Sequence, residues 1–244
     1  MDTVELNRLS IHQSGFAPVI DLSMTVAQGE CVALFGEKEA DTVLALLSGF
    51  CKPSQGEGTV MGYDLTTQTA KIRHISSILP ITDGISPRLS VTENIELFLR
   101  LGGKKKKEAT ERAMRLVAAF ELIEKANAPA ASLSKGQRTR LSMALAQAND
   151  PPLLLLNKPA KHLSSHEKRE ILDILVKRKG KSTVVFSTAD PFVAAAFCDR
   201  IALFKDGKLA FFDRVPALLS KTETFSVEDA IAAILKQQQK EESL

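Results

Sequence analysis

Three short apolar runs, CVALF at 31–35, LLLL at 153–156 and TVVFS at 183–187, are bounded by turn-forming or charged residues and separated by long helical patterns. Runs of four or five residues are strand-sized. Strands that alternate with helices are the pattern of an α/β protein with parallel strands at its centre. Further strand patterns lie at 4–9, 19–26, 59–61, 75–79, 201–204 and 208–211. Helical patterns fall at 42–48, 91–101, 107–120, 136–149, 165–179, 191–197 and 227–239. The first strands follow one another without helices, which predicts an antiparallel β flap. Between 82 and 149 the pattern is almost wholly helical, as an inserted lobe would be. The expectation is one domain over 1–244: a core lobe of 1–81 and 150–211, a helical lobe of 82–149, and a helical tail of 212–244.

The chain has 244 residues, 44% hydrophobic and 25% charged, enough to bury a sizeable core. A formal charge of +3 is too small to argue for nucleic acid. Cys31, Cys51 and Cys198 are odd in number and widely spaced, which points to buried thiols in a reducing compartment and to no metal site. No apolar run nears the roughly 18 residues of a membrane span. The start, MDTVELNRLS, lacks the basic and apolar regions of a secretory signal. The expected place is cytoplasmic, with a membrane reached only through a partner. The lysine run at 104–107 reads as a solvated helix start, with an anionic-lipid contact as the lesser alternative. The polar QQQKEESL end reads as frayed.

The stretch LSKGQRTRLSMALAQANDPPLLLLNKPA, 133–160, resembles the signature-to-Walker-B region of the ATP-binding cassette (ABC) ATPases. That family carries LSGGQ, a helix, then four apolar residues and Asp-Glu-Pro. GECVALFG resembles its strand before the phosphate loop, and KPSQGEGTVMGYDL the segment after its first helix. LSVTENIELFLRL resembles the start of its helical lobe, CDRIALFKDGKL its final strands, and SVEDAIAAIL the closing helix of exporter-type cassettes. The resemblance covers nearly the whole chain. It implies a RecA-like, mostly parallel core sheet with an antiparallel flap and an inserted helical subdomain.

The family's chemical positions are filled differently here. Its phosphate loop uses glycines to aim backbone N–H groups, a lysine for the β-phosphate and a hydroxyl for Mg²⁺. In this chain the loop is Gly36, Glu37, Lys38, Glu39, Ala40, Asp41 and Thr42. Aligned on Gly36, the lysine position falls on Thr42; aligned on the following helix, it falls on Ala40. Lys38 is on the wrong side of the loop in both. Glu37, Glu39 and Asp41 would face a triphosphate, and like charges about 4 Å apart repel by roughly 4 kcal/mol at an effective dielectric near 20. The family's metal-orienting Asp and water-polarising Glu match Asn157 and Lys158, its loop glutamine Ile81, its D-loop aspartate Ser164 and its switch histidine Ala189. A lysine is no general base at neutral pH. The expectation is a degenerate catalytic site, with no Mg-ATP and no metal held by this chain. A salt bridge from Lys158 to Glu39 or Asp41 across the pocket is expected instead.

Leu133, Ser134, Gly136 and Gln137 keep the signature, and Lys135 departs from it. In the family this motif closes over ATP bound to the opposite subunit. Two readings stay open: use on a partner's Mg-ATP, or a plain helix cap by Ser134. Lesser candidates are Phe16 or His12 for adenine stacking, the i, i+4 pair His162 and His166, His74, and Phe211–Phe212, each read as surface or core. The resemblance implies a non-catalytic subunit paired as a heterodimer with a competent ABC ATPase. It would dock on a membrane permease through the segment at 81–89, at the cytoplasmic face. The alternative is an unorthodox ATPase in which Lys38 and Lys158 replace the lost cation.

Overall fold

The computed structural model describes residues 2–12, 14, 18–36, 38–79, 84–161, 163–176 and 180–241. Strands β1 (Asp2–Ile11), β2 (Val19–Ala27) and β3 (Cys31–Phe35) open the chain, and β3 leads into helix α1 (Glu39–Leu47). Next come β4 (Gln55–Val60), β5 (Tyr63–Asp64), α2 (Thr69–Ile75) and β6 (Ser76–Leu79). A helical segment follows with α3 (Val91–Leu101), α4 (Lys106–Ala119) and α5 (Lys135–Ala146). The chain returns through β7 (Leu153–Leu156), α6 (Ser165–Val176), β8 (Thr183–Ser187) and α7 (Pro191–Phe197). It continues with β9 (Arg200–Lys205), β10 (Lys208–Asp213), α8 (Val215–Thr222) and α9 (Val227–Glu241).

Two sheets result. The larger has the order β10-β9-β3-β8-β7-β6, parallel throughout except for the β10–β9 hairpin. The smaller, β2-β1-β4-β5, is antiparallel, which is the expected flap. Alternate residues of each central strand enter different cores, because successive side chains leave a strand on opposite faces. Ala33, Leu154, Leu156, Val184 and Phe186 join the helices of the inserted lobe on one face. Val32, Leu34, Leu153, Leu155 and Val185 join α1 and the flap on the other. The unbroken apolar runs are therefore two period-2 patterns superimposed. A buried hydroxyl pair at 2.8 Å, Thr3 with Thr183, fastens the flap to the core sheet.

The helical segment is pinned at both ends. At its entry Asn94, 1% exposed, takes the Ser86 N–H and donates to the carbonyls of Ser86, Leu89 and Ser90. Ser90 and Glu93 form a reciprocal cap on α3. At its exit Arg112 donates to the Ala148 carbonyl at 2.6 Å and pairs with Asp150. The lysine run at 104–107 is the solvated start of α4, where Lys104 pairs with Glu108.

Some expectations are corrected. Helix α1 begins at Glu39, three residues earlier than its apolar periodicity indicates. The strand expected from residue 75 starts at Ser76, because Ile75 closes α2. Helices α2 and α8 are not among the expected helices: α2 is short and buries Ile72, and α8 sets Val215, Leu218 and Leu219 against the core. The polar end expected to fray is helical through Glu241. Of the helix expected over 165–179, residues 177–179 lie outside the described residues.

Phe186 is fully buried on the β8 face that meets the inserted lobe. Phe186→Ala is expected to lower stability by about 3–5 kcal/mol, measured by urea unfolding. A loss below about 1 kcal/mol would mean that this layer is not close-packed.

Candidate functional site

The C-terminal ends of β3, β7 and β8 open onto a cleft of about 1400 Å³, with helix α9 as its far wall. Crevices at such strand ends are where α/β sheets place their ligands. The loop from β3 to α1 is three residues long, 36–38. Gly36 sits at φ 148°, and a Cβ there would meet the Phe204 Cβ at 2.9 Å, so a close approach requires glycine. Lys38 is exposed and precedes α1 without capping it. Ala40 and Thr42 are buried inside α1, and the Thr42 hydroxyl donates to the Lys38 carbonyl. Neither candidate for the lysine position faces the cleft with a polar group free for phosphate.

Two acids of the loop, Asp41 and Glu39, have protein partners. Asp41 is clamped: its carboxylate accepts from Asn157 Nδ2 at 2.7 Å and from Lys158 Nζ at 3.2 Å. The expected salt bridge therefore forms, and Asp41 rather than Glu39 is its acid. Glu39 accepts the Gly207 N–H at 3.3 Å. Both acids lie in the first turn of α1, where the helix dipole favours negative charge. Lys158 has φ 47°, uncommon outside glycine, and its N–H donates to Ser187 Oγ at 3.0 Å. The end of β7 thus ties α1 to β8.

Ala189 is exposed on the cleft after β8. Beside it Asp190 caps α7 by accepting the Phe192 and Val193 N–H groups, and takes Lys168 Nζ at 2.7 Å. Burial pushes this carboxyl up. The Lys168 hydrogen bond and charge, with the two cap N–H groups, outweigh burial and hold it below the usual carboxylate range. Ser164 heads α6. Its N–H and hydroxyl donate to Glu167 Oε2 at 2.9 and 2.7 Å, which holds Glu167 below its ordinary value.

Four of the five signature residues have a local role. Leu133 packs half-buried against the core. Ser134 accepts the Gln137 N–H at 3.2 Å while Gln137 Oε1 accepts the Ser134 N–H at 3.1 Å, a reciprocal cap on α5. Lys135 is exposed. A Cβ on Gly136 would lie 2.0 Å from Glu167 Oε1. Arg140, further along α5, pairs with Glu121 and Glu170.

Glu37, Ile81, Phe16 and His162 lie outside the described residues. His12 and His74 are exposed, and His166 faces Glu170 at 3.2 Å. Phe211 is buried, and Phe212 lies under the Arg200 guanidinium at 3.6 Å. Burial pushes the Cys51 thiol up to about 11. Sequence reasoning missed Glu167 and the Lys168–Asp190 pair; the Ser164-x-x-Glu167 spacing of a capping box was the available signal for the first.

Two outcomes test this geometry. Gly136→Ala should cost at most about 1 kcal/mol, because the atom it crowds is the far end of the Glu167 side chain, which can swing aside at the expense of its Ser164 hydrogen bonds, and most of that cost should vanish in the Glu167→Ala background. Equal costs in both backgrounds, by urea unfolding, would refute the contact. For Asp190, a depressed folded pKa stabilises the fold above the unfolded value of about 4. That stability is lost as pH falls through the folded value. Asp190→Asn should be less stable than the parent at neutral pH, with the gap closing as pH falls below the unfolded value and through the depressed folded one. A gap unchanged across that range would sink the assignment.

A protein-family model described as ABC transporter matches residues 19–161. The protein NatA of Bacillus subtilis, an ABC transporter ATP-binding protein, is 31% identical over 199 residues, 79% of this chain and 80% of that one. Nod factor export ATP-binding protein I of Sinorhizobium fredii is 31% identical over 89% of this chain and 64% of its own length. ABC transporter A family member 6 of Dictyostelium discoideum is 31% identical over 78% of this chain, which spans only 12% of that relative. Among solved structures, the ATP-binding cassette MJ0796, dimeric and bound to ADP and Pi, superposes with a TM-score of 0.77 at 27% identity, covering 87% of this chain and 98% of that one. No described helix is long and apolar enough to cross a membrane. With the sheet, flap and helical lobe in place and more than half its length matched by the family model, the chain belongs to the ABC transporter family, as an ATP-binding cassette domain.

Proposed function

We propose that this chain is a non-catalytic cassette subunit. It pairs with a competent ABC ATPase, docks on a membrane permease at the cytoplasmic face, and contributes its signature turn or a scaffold and regulatory role. The observation that carries the reading is the clamp on Asp41 by Asn157 and Lys158. Mg-ATP held in the family's mode needs a lysine and a hydroxyl at the end of the loop and a carboxylate for the metal at the end of β7. Aligned on the helix those places hold Ala40 and the engaged Asp41, aligned on Gly36 they hold Thr42 and Val43, and the end of β7 is followed by Asn157 and Lys158. The residues present do not fit that ligand, and no hydrolytic step is assigned to them.

The relatives named as transporters or export ATP-binding proteins support the transporter setting. The dimeric cassette among the structural neighbours supports pairing. A second reading, an unorthodox ATPase, is favoured by Lys38 and Lys158 on the cleft wall. Calorimetric titration of the purified chain and of Lys158→Ala with Mg-ATP separates the two. No saturable heat at millimolar ATP is the expected result for both proteins. Saturable binding that disappears in Lys158→Ala, with metal-dependent turnover, would overturn the proposal in favour of the second reading.

A further inference from the structure

We propose that Glu167 is an internal latch on the signature turn, holding it closed to phosphate until α6 shifts. The inference rests on the reading above, in which the turn's use is a phosphate group brought by a partner. Its basis is the approach of two elements. The Glu167 carboxylate occupies the space where a side chain at 136 would begin, with Oε1 2.0 Å from an ideal Cβ. Oε2 is held by the Ser164 N–H and hydroxyl, and among the described residues Oε1 takes no hydrogen bond. A fixed carboxylate therefore stands against the glycine whose missing side chain would let an anion approach the backbone. Two negative groups cannot share that position without strong repulsion.

The latch is built into a helix that also touches the cleft. Lys168, the next residue of α6, pairs with Asp190 at the head of α7, and both line the cleft. Glu170, further along α6, pairs with Arg140 of α5. Arg169 lies over the Phe192 ring of α7 at 5.9 Å. The first turns of α6 thus bridge the cleft wall and the signature helix. A contact that breaks Lys168–Asp190 loosens the Ser164 end of α6, and Glu167 moves with it. Ser164 has a part in this because its N–H and hydroxyl bind the carboxylate directly.

Amide spectra of the ¹⁵N-labelled chain, titrated with pyrophosphate at constant ionic strength, test the latch without a partner. The Gly136 and Gln137 amides of the parent should stay in place. Glu167→Gln, which keeps one side-chain acceptor for Ser164, and Glu167→Ala should give saturable shifts there, with binding at least tenfold tighter than in the parent. Lys168→Ala should give a smaller gain at the same amides. Thermal melts establish that each variant is folded. Equal binding in the parent and both Glu167 variants, or no shift at Gly136 in any of them, overturns the latch. No gain in Lys168→Ala overturns its link to the cleft. The same spectra report separately on the chain's own loop through Gly36 and Ala40. Saturable shifts confined to those amides would count against the non-catalytic reading, while Gly136 alone decides the latch.

Discussion

The cleft depends on a sheet that has no face left for water. A parallel strand buried on both sides must be apolar at every position, and its polar groups can appear only at its ends. In this chain β3, β7 and β8 meet that condition. In the sequence, charged and amide groups begin one residue after β7, at Asn157 and Lys158, and two residues after β3, at Glu37, Lys38 and Glu39. The sheet therefore delivers its chemistry to one edge.

Here the charges satisfy one another. Asp41 stands in the first turn of α1, Lys158 and Asn157 end β7, and Asp190 heads α7 opposite Lys168 of α6. Acids at helix N-termini are stabilised by the dipole whether or not a phosphate is present. An acid-rich loop is then compatible with the family's backbone, provided that a cation is supplied from a neighbouring strand. Lys158 supplies it. The acid of the helix start and the base of the strand end meet at 3.2 Å.

The parts of this arrangement legible in the sequence are those fixed by periodicity or by local chemistry. Strands β3, β7 and β8 follow from their apolar runs, and α3 from the Ser90-x-x-Glu93 cap before an apolar stripe. The Lys158–Asp41 pairing follows from opposite charges on elements that the resemblance places side by side. Hidden from the sequence were features set by tertiary contacts. Helix α2 buries one residue and has no stripe to read. The choice of Asp41 over Glu39 depends on the early start of α1, which turns Glu39 toward the Gly207 N–H. Glu167 at Gly136 joins two helices whose relative placement no local pattern encodes.

Lys158 is held in a strained backbone at this edge. A left-handed backbone at a lysine costs on the order of 1 kcal/mol relative to glycine, and such strain persists only where surrounding contacts over-determine it. Here three contacts do so: the N–H to Ser187, the ammonium to Asp41, and the neighbouring Asn157 amide to the same carboxylate. A glycine would relieve the backbone but remove the ammonium that pairs with Asp41 beside the Asn157 amide. The strained lysine therefore makes sense as a fastening between β7, β8 and α1, at a strand end whose geometry is set by the sheet and whose charge is set by the loop.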